Sequence, residues 1–117
     1  MIAQSSGIRW CMLGAFCQSK ILAEAIRAAC KLAEADDVRD QVLAGPLEAK
    51  RLTSARQLFV FVCRKIEVPE EVLADLMGTN TTAVKLRYHA AVRRFPLPCL
   101  KQLECGVRET LVKKKYI

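Results

Sequence analysis

Asn80, Thr81 and Thr82 stand in a row, and Lys85, Arg87, Arg93 and Arg94 follow at spacings that a single helix would carry. An Asn amide can pair with adenine, and Thr offers a hydroxyl and a methyl group to base edges. Lys and Arg neutralise phosphates. Together these residue types suit the recognition of a nucleic-acid duplex. The short polar run would sit at the base edges, and the cations would lie along the backbone. The competing reading is an ordinary helical hairpin whose basic face is merely solvated.

Such chemistry needs a frame, and the stretch PEEVLADLMGTNTTAVKLRYHAAVRRF supplies its parts. Two helices crossing steeply over a short turn require a small residue where they touch, a glycine in the turn and an apolar anchor in the second helix. Ala74, Gly78 and Val84 meet these needs in order. Pro69 suits the first helical position of residues 69–77, and Glu70-Glu71 suit the positive end of a helix dipole. Val72, Leu73, Leu76 and Met77 are expected to face inward. Asn80 or Thr81 would cap a second helix running to about Arg94. There Val84, Tyr88, Ala91 and Phe95 form one apolar stripe, and Pro96 and Pro98 stop the helix.

The charge distribution points the same way. The 117-residue chain carries a net charge of +7. Residues 1–78 balance to zero, so the entire excess lies in residues 79–117, in Lys85, Arg87, Arg93, Arg94, Lys101, Arg108 and Lys113 to Lys115 against Glu104 and Glu109. A one-sided basic field suits a polyanion. A solvated basic tail is the plainer alternative.

The rest of the chain reads as helix. Composition is 52% hydrophobic and 26% charged, which places it among globular proteins. Ile21, Leu22, Ala25, Ile26, Ala29, Leu32 and Ala33 recur at helical spacing and predict an amphipathic helix over 18–35. Asp36-Asp37 ends it or caps a short helix over about 37–43, closed by Gly45-Pro46. Residues 53–66, capped by Thr53 or Ser54, form the most apolar helix, expected to be central. A strand is the rival there, although Arg56-Gln57 and Arg64-Lys65 do not alternate as a half-buried strand would. Leu100, Leu103, Val107 and Leu111 predict a last helix over 99–112, after which Lys113-Lys114-Lys115 is expected to fray. The fold class that follows is all-α. It is a small multi-helix domain over 18–112 containing a helix-turn-helix at 69–94, with an apolar segment before it (1–17) and a basic tail after it (113–117).

Six cysteines and one histidine offer little chemistry. Cys11/Cys17 and Cys99/Cys105 repeat one spacing, which leaves a bridge or a shared metal open. Packing as small hydrophobes in a reduced protein is the stronger reading. No C-x-x-C occurs, and His89 lacks a ligand partner at zinc-finger spacing, so no metal and no cofactor are expected. An enzyme is not expected either, since no nucleophile motif and no acid pair accompany His89. His89 is expected at a phosphate or simply at the surface. The N-terminus lacks a basic n-region and Arg9 interrupts it, so a signal peptide is not expected. No run reaches transmembrane length, and the cytoplasm is the default location.

The segments AIRAACKLAEADDVRDQVLAG, KRLTSARQLFVFVCRKI and VPEEVLADLMGTNTTAV make residues 21–92 similar to the C-terminal, DNA-binding domain of the bacterial replication initiator DnaA, an all-helical domain of the Trp-repressor-like class. In that family an Ala-Arg-Gln precedes an apolar helix ending in a basic pair, as Ala55-Arg56-Gln57 and Arg64-Lys65 do here. The resemblance places Lys50 and Arg51 in a minor groove. The family's Gly-Arg-Asp-His-Thr-Thr-Val loop falls without a gap on Gly78 to Val84. Of the departures from it, Asn80, Thr81 and Ala83 fall at base-reading positions. VKLRYHAAVRRF also resembles the promoter-reading domain of sigma factors. The chain lacks the phosphate-binding G-x-x-x-x-G-K-[ST] loop, so a complete initiator is not expected.

These readings converge on a sequence-specific binder of double-stranded DNA, a small bacterial or phage regulator or a replication-associated protein. Asn80, Thr81, Thr82 and Arg87 would read or approach bases, and Lys50, Arg51, Lys85, Arg93 and Arg94 would position the backbone. The alternative is a module that binds a replication or transcription protein, motivated by Ile8, Trp10, Met12, Leu13 and Phe16. Trp10 is expected to be a packing anchor, and a homodimer would suit paired half-sites.

Overall fold

Among the described residues the chain folds as five α-helices, α1 (Ala15–Ala33), α2 (Lys50–Lys65), α3 (Glu70–Leu76), α4 (Thr81–Arg94) and α5 (Leu97–Lys113), with short 3-10 segments at Trp10–Met12 and Asp36–Gln41. The computed structural model describes residues 10–45 and 48–117. The expected roles of Ile8 and Pro46 fall outside those residues. Among the described residues there is no strand, so the all-α expectation holds and the strand alternative for α2 does not.

The centre of the molecule is α2. Leu52, Ala55 and Leu58 to Cys63 are buried along it, and α1, α4 and α5 pack against it. A helix covered on several sides can be apolar nearly all round. It starts at Lys50, a turn earlier than expected, with Ala49 at the cap position and Thr53 and Ser54 inside the helix. Leu52, fully buried, draws that extra turn into the core.

Around it, α1 contributes Ile21, Ala25, Ala29 and Cys30. It also buries Glu24, whose carboxylate receives Arg27 Nε at 2.9 Å and Nη2 at 2.5 Å. A buried carboxylate survives when it is paired and hydrogen-bonded in this way. The helix begins at Ala15 and so takes in Phe16 and Cys17 from the apolar N-terminal stretch. Trp10 is 7% exposed, the packing anchor expected of it. The helix closes on Glu34 in a left-handed conformation, with Ala35 N–H donating to the Cys30 carbonyl at 2.8 Å.

The loop after α1 is drawn to α2 by Arg56. Its guanidinium donates to the carbonyls of Gln41 (2.7 Å), Val42 (3.2 Å) and Gly45 (3.2 Å). These carbonyls would otherwise need water or another donor.

Pro69 is the cap residue of α3 rather than its first helical residue, with ψ 145°. Leu73, Ala74 and Met77 are buried and Val72 packs against the core, whereas Leu76 stays half-exposed. In α4 the expected stripe is present. Val84 and Ala91 are fully buried, and Tyr88 and Phe95 are half-buried against the core. Pro96 holds Phe95 extended and ends α4. Pro98 lies in the first turn of α5, where a missing N–H costs nothing, so α5 starts at Leu97 rather than 99. Leu100, Leu103, Val107 and Leu111 line its buried face as expected.

The C-terminal lysines leave the helix in a hydrogen-bonded turn. α5 runs to Lys113, and Lys115 turns left-handed so that Tyr116 N–H reaches the Leu111 carbonyl at 2.9 Å. Tyr116 packs on the core and meets the Phe16 ring edge-on at 6.2 Å. Those apolar contacts bring the end of the chain back against the start of α1. No helix among the described residues is long and apolar enough to cross a membrane.

Candidate nucleic-acid interface

The junction of α3 and α4 is built from local chemistry. Gly78 takes φ +64°, and its N–H donates to the Asp75 carbonyl at 3.3 Å, while Thr79 N–H donates to Ala74 at 2.9 Å. An L side chain resists that backbone, and glycine does not. Asn80 is the cap of α4, its Oδ1 accepting from Ala83 N–H at 2.9 Å. Thr81 and Thr82 therefore open the first turn of α4, Thr82 exposed and Thr81 half-exposed.

Opposite the buried stripe, α4 turns Thr82, Lys85, Leu86, His89, Val92 and Arg93 to the outside. Leu86 is 62% exposed and Val92 46%, apolar side chains with nothing over them among the described residues. Sequence reasoning passed over both. Their signal is phase, since each falls outside the Val84–Tyr88–Ala91 stripe.

The cations assigned to DNA separate into two groups. Lys50, Lys85 and Arg93 are exposed. Arg93 makes no hydrogen bond or ion pair among the described residues, and Lys85 lies 3.9 Å from Glu70. Arg51, Arg87 and Arg94 are engaged within the fold. Arg51 forms a two-pronged pair with Asp37, one bond measuring 2.7 Å, and also donates to the Glu34 carbonyl at 3.3 Å. It holds the start of α2 to the end of α1. The same pairing draws the Asp37 carboxyl below the usual carboxylate range.

Arg94 crosses to α2, where it donates to Gln57 Oε1 at 2.5 Å and Ser54 Oγ at 3.2 Å. Arg87 is half-buried with its Nη1 3.5 Å from Met77 Sδ, and no carboxylate among the described residues reaches it. Burial, with Arg56 nearby, pulls its pKa below the ordinary guanidinium value.

Comparison with protein-family models, with curated proteins and with solved structures gives no match.

What remains is the geometry itself. A further basic cluster lies beside α4, where Arg64 and Lys65 at the end of α2 meet Lys85, Tyr88 and His89 of α4 and Glu70 of α3 around a cavity of about 420 Å³. The basic pair was visible in the sequence only as the close of an apolar helix. Its meeting with α4 depends on the packing of α2 on α4, marked by Phe61 and Tyr88, whose rings stack at 5.4 Å.

The cysteines lie apart from this face. All six are free thiols. Cys30 and Cys63 are buried as small hydrophobes, and Cys11 and Cys105 are exposed. Desolvation raises both buried thiols above the ordinary thiol value, Cys63 far above it. Among the described residues no cluster of His, Cys, Asp and Glu could hold a metal ion.

Proposed function

We propose that this protein binds double-stranded DNA sequence-specifically, as a small transcriptional regulator or a replication-associated factor, with α3 and α4 acting as a helix-turn-helix. The observation that carries the reading is the outer face of α4. It presents Thr82, Lys85, Leu86, His89 and Arg93 to solvent directly beyond a turn secured by Gly78 and Asn80. That face belongs to the part of the chain that holds its whole positive excess.

In this mechanism the N-terminal turn of α4 enters the major groove. Thr82, with Thr81 beside it, meets base edges, and Lys85 and Arg93 meet phosphates on either side. Asn80 approaches with its amide nitrogen free to donate, because Oδ1 holds the helix start. Arg87 and Arg94 contribute positive field and hold α4 in place. Lys50 reaches the backbone from the start of α2, and Arg51 does so only by leaving Asp37.

The test is selection from a mixed duplex pool, followed by gel shifts at two salt concentrations. A recovered motif bound more weakly at high salt supports the reading, and its symmetry reports whether two copies bind paired half-sites. Absence of binding at low salt overturns it.

A second reading, a module that binds a protein partner, draws on Met12 and Phe16, which are 75% and 66% exposed at the start of the fold. Exposed apolar side chains of this size suit a protein contact more than a phosphate backbone. Co-purification of a replication or transcription protein without duplex affinity would favour it.

A further inference from the structure

The cavity beside α4 has an unusual electrostatic make-up. Arg64, Lys65 and Lys85 supply three cations, and Glu70 is the only carboxylate in its wall. Glu70 Oε1 lies 3.9 Å from Lys85 Nζ, and Oε2 lies 3.9 Å from Arg64 Nε. Both distances are too long for a hydrogen bond, so Glu70 is an approximate counter-charge held between two cations. Arg64 is further occupied by the Val68 carbonyl at 2.6 Å. Lys65 has its Nζ over the Phe61 ring at 5.7 Å, and the Lys85 side chain is 61% exposed. The wall is completed by His89, exposed, and by Tyr88, which the Phe61 ring holds in place. Lys85 and His89 are one helical turn apart on α4, so they stack on the same side.

We infer that this cleft seats one phosphodiester group of the bound DNA, held by Lys65, Lys85 and His89, with Glu70 as a resident anion that the phosphate must out-compete. The inference rests on the DNA-binding reading and deepens it. A helix in the major groove has a sugar-phosphate strand along each side, and the cleft opens beside the face of α4 that would meet the bases. The excess of cations over carboxylate sets the sign of the ligand. A phosphodiester has two free oxygens with which to accept from the lysines of the wall, whereas Glu70 stands beyond hydrogen-bond distance of Lys85. Glu70 then sets the affinity, since its charge lowers the attraction of the cleft for a phosphate and keeps Arg64 and Lys85 from being bare like charges in the free protein.

The inference is tested with Glu70→Gln, Lys65→Gln and Lys85→Gln, measuring affinity for the selected duplex across a salt series. Lys65→Gln and Lys85→Gln should each weaken binding and lower the salt slope by about one. Glu70→Gln should tighten binding severalfold, an outcome that damage to the fold does not produce. A duplex with single methylphosphonate substitutions should contain one position whose neutralisation weakens the wild type but costs Lys65→Gln nothing more. If the wild type binds duplex and all three variants keep its affinity and slope, the cleft holds no phosphate and the DNA-binding reading stands without it. If the wild type binds no duplex at all, both fall together.

Discussion

The side-chain oxygen of Asn80 and the backbone N–H of Ala83 are joined at 2.9 Å, so the residue best suited to read adenine is also the cap of the helix that would carry it there. Substitution separates the two roles. Asn80→Ala should cost about 1 kcal/mol in chemical denaturation. Asn80→Asp should keep the cap and the stability but weaken duplex binding, because it sets a carboxylate against phosphates and acceptor-rich base edges. Equal binding by the Asp variant would place Asn80 outside the interface.

Gly78 tests the turn. Its φ of +64° disfavours any side chain, yet a Cβ built there meets nothing within 4 Å. Gly78→Ala should therefore cost about 1 kcal/mol from backbone conformation alone, and Gly78→Asn less, since Asn tolerates the left-handed region. Thermal melts of the two variants compare them directly.

The Phe61–Tyr88 stack, with rings 16° apart, joins α2 to α4. Tyr88→Ala should destabilise the fold by about 2–3 kcal/mol, while Tyr88→Phe keeps the stack and should cost less than about 1 kcal/mol. Urea denaturation followed by the fluorescence of Trp10 would report both.

Arg51 and Arg93 should differ in their effect on DNA. Arg93→Ala should weaken duplex binding and reduce its salt slope by about one. Arg51→Ala should change binding less, because its guanidinium already holds Asp37. The pair also carries a pH dependence. Asp37 has a depressed pKa in the folded state, so its contribution is present above the ordinary carboxylate value of 3.8 and is lost as pH falls through the lower, folded value. Asp37→Asn should remove that acid-side component, a small one because the pair is exposed to solvent.

Thiol labelling should follow burial. Cys11 and Cys105 should react with a maleimide in the native protein, and Cys30 and Cys63 only after unfolding. Native labelling of Cys63 at the rate of Cys105 would contradict the packing of α2.

Much of this was legible along the chain because its causes are local. The apolar stripes of α1, α4 and α5 follow a 3.6-residue period, the break after α3 needs a glycine at one position, and Asn80 caps through an N–H three residues on. The order of residues therefore settles the helices and the character of the turn. What it could not settle was which cations are free, since all the arginines look alike in a sequence. Arg51 finds Asp37 across 14 residues, Arg94 finds Gln57 across 37 and Arg108 finds the Lys65 carbonyl across 43. The same is true of Lys65, Lys85 and Glu70 meeting around one cavity, and of Tyr116 meeting Phe16 at the start of α1. Each of these depends on distances between elements, and only the packing of the helices sets those distances.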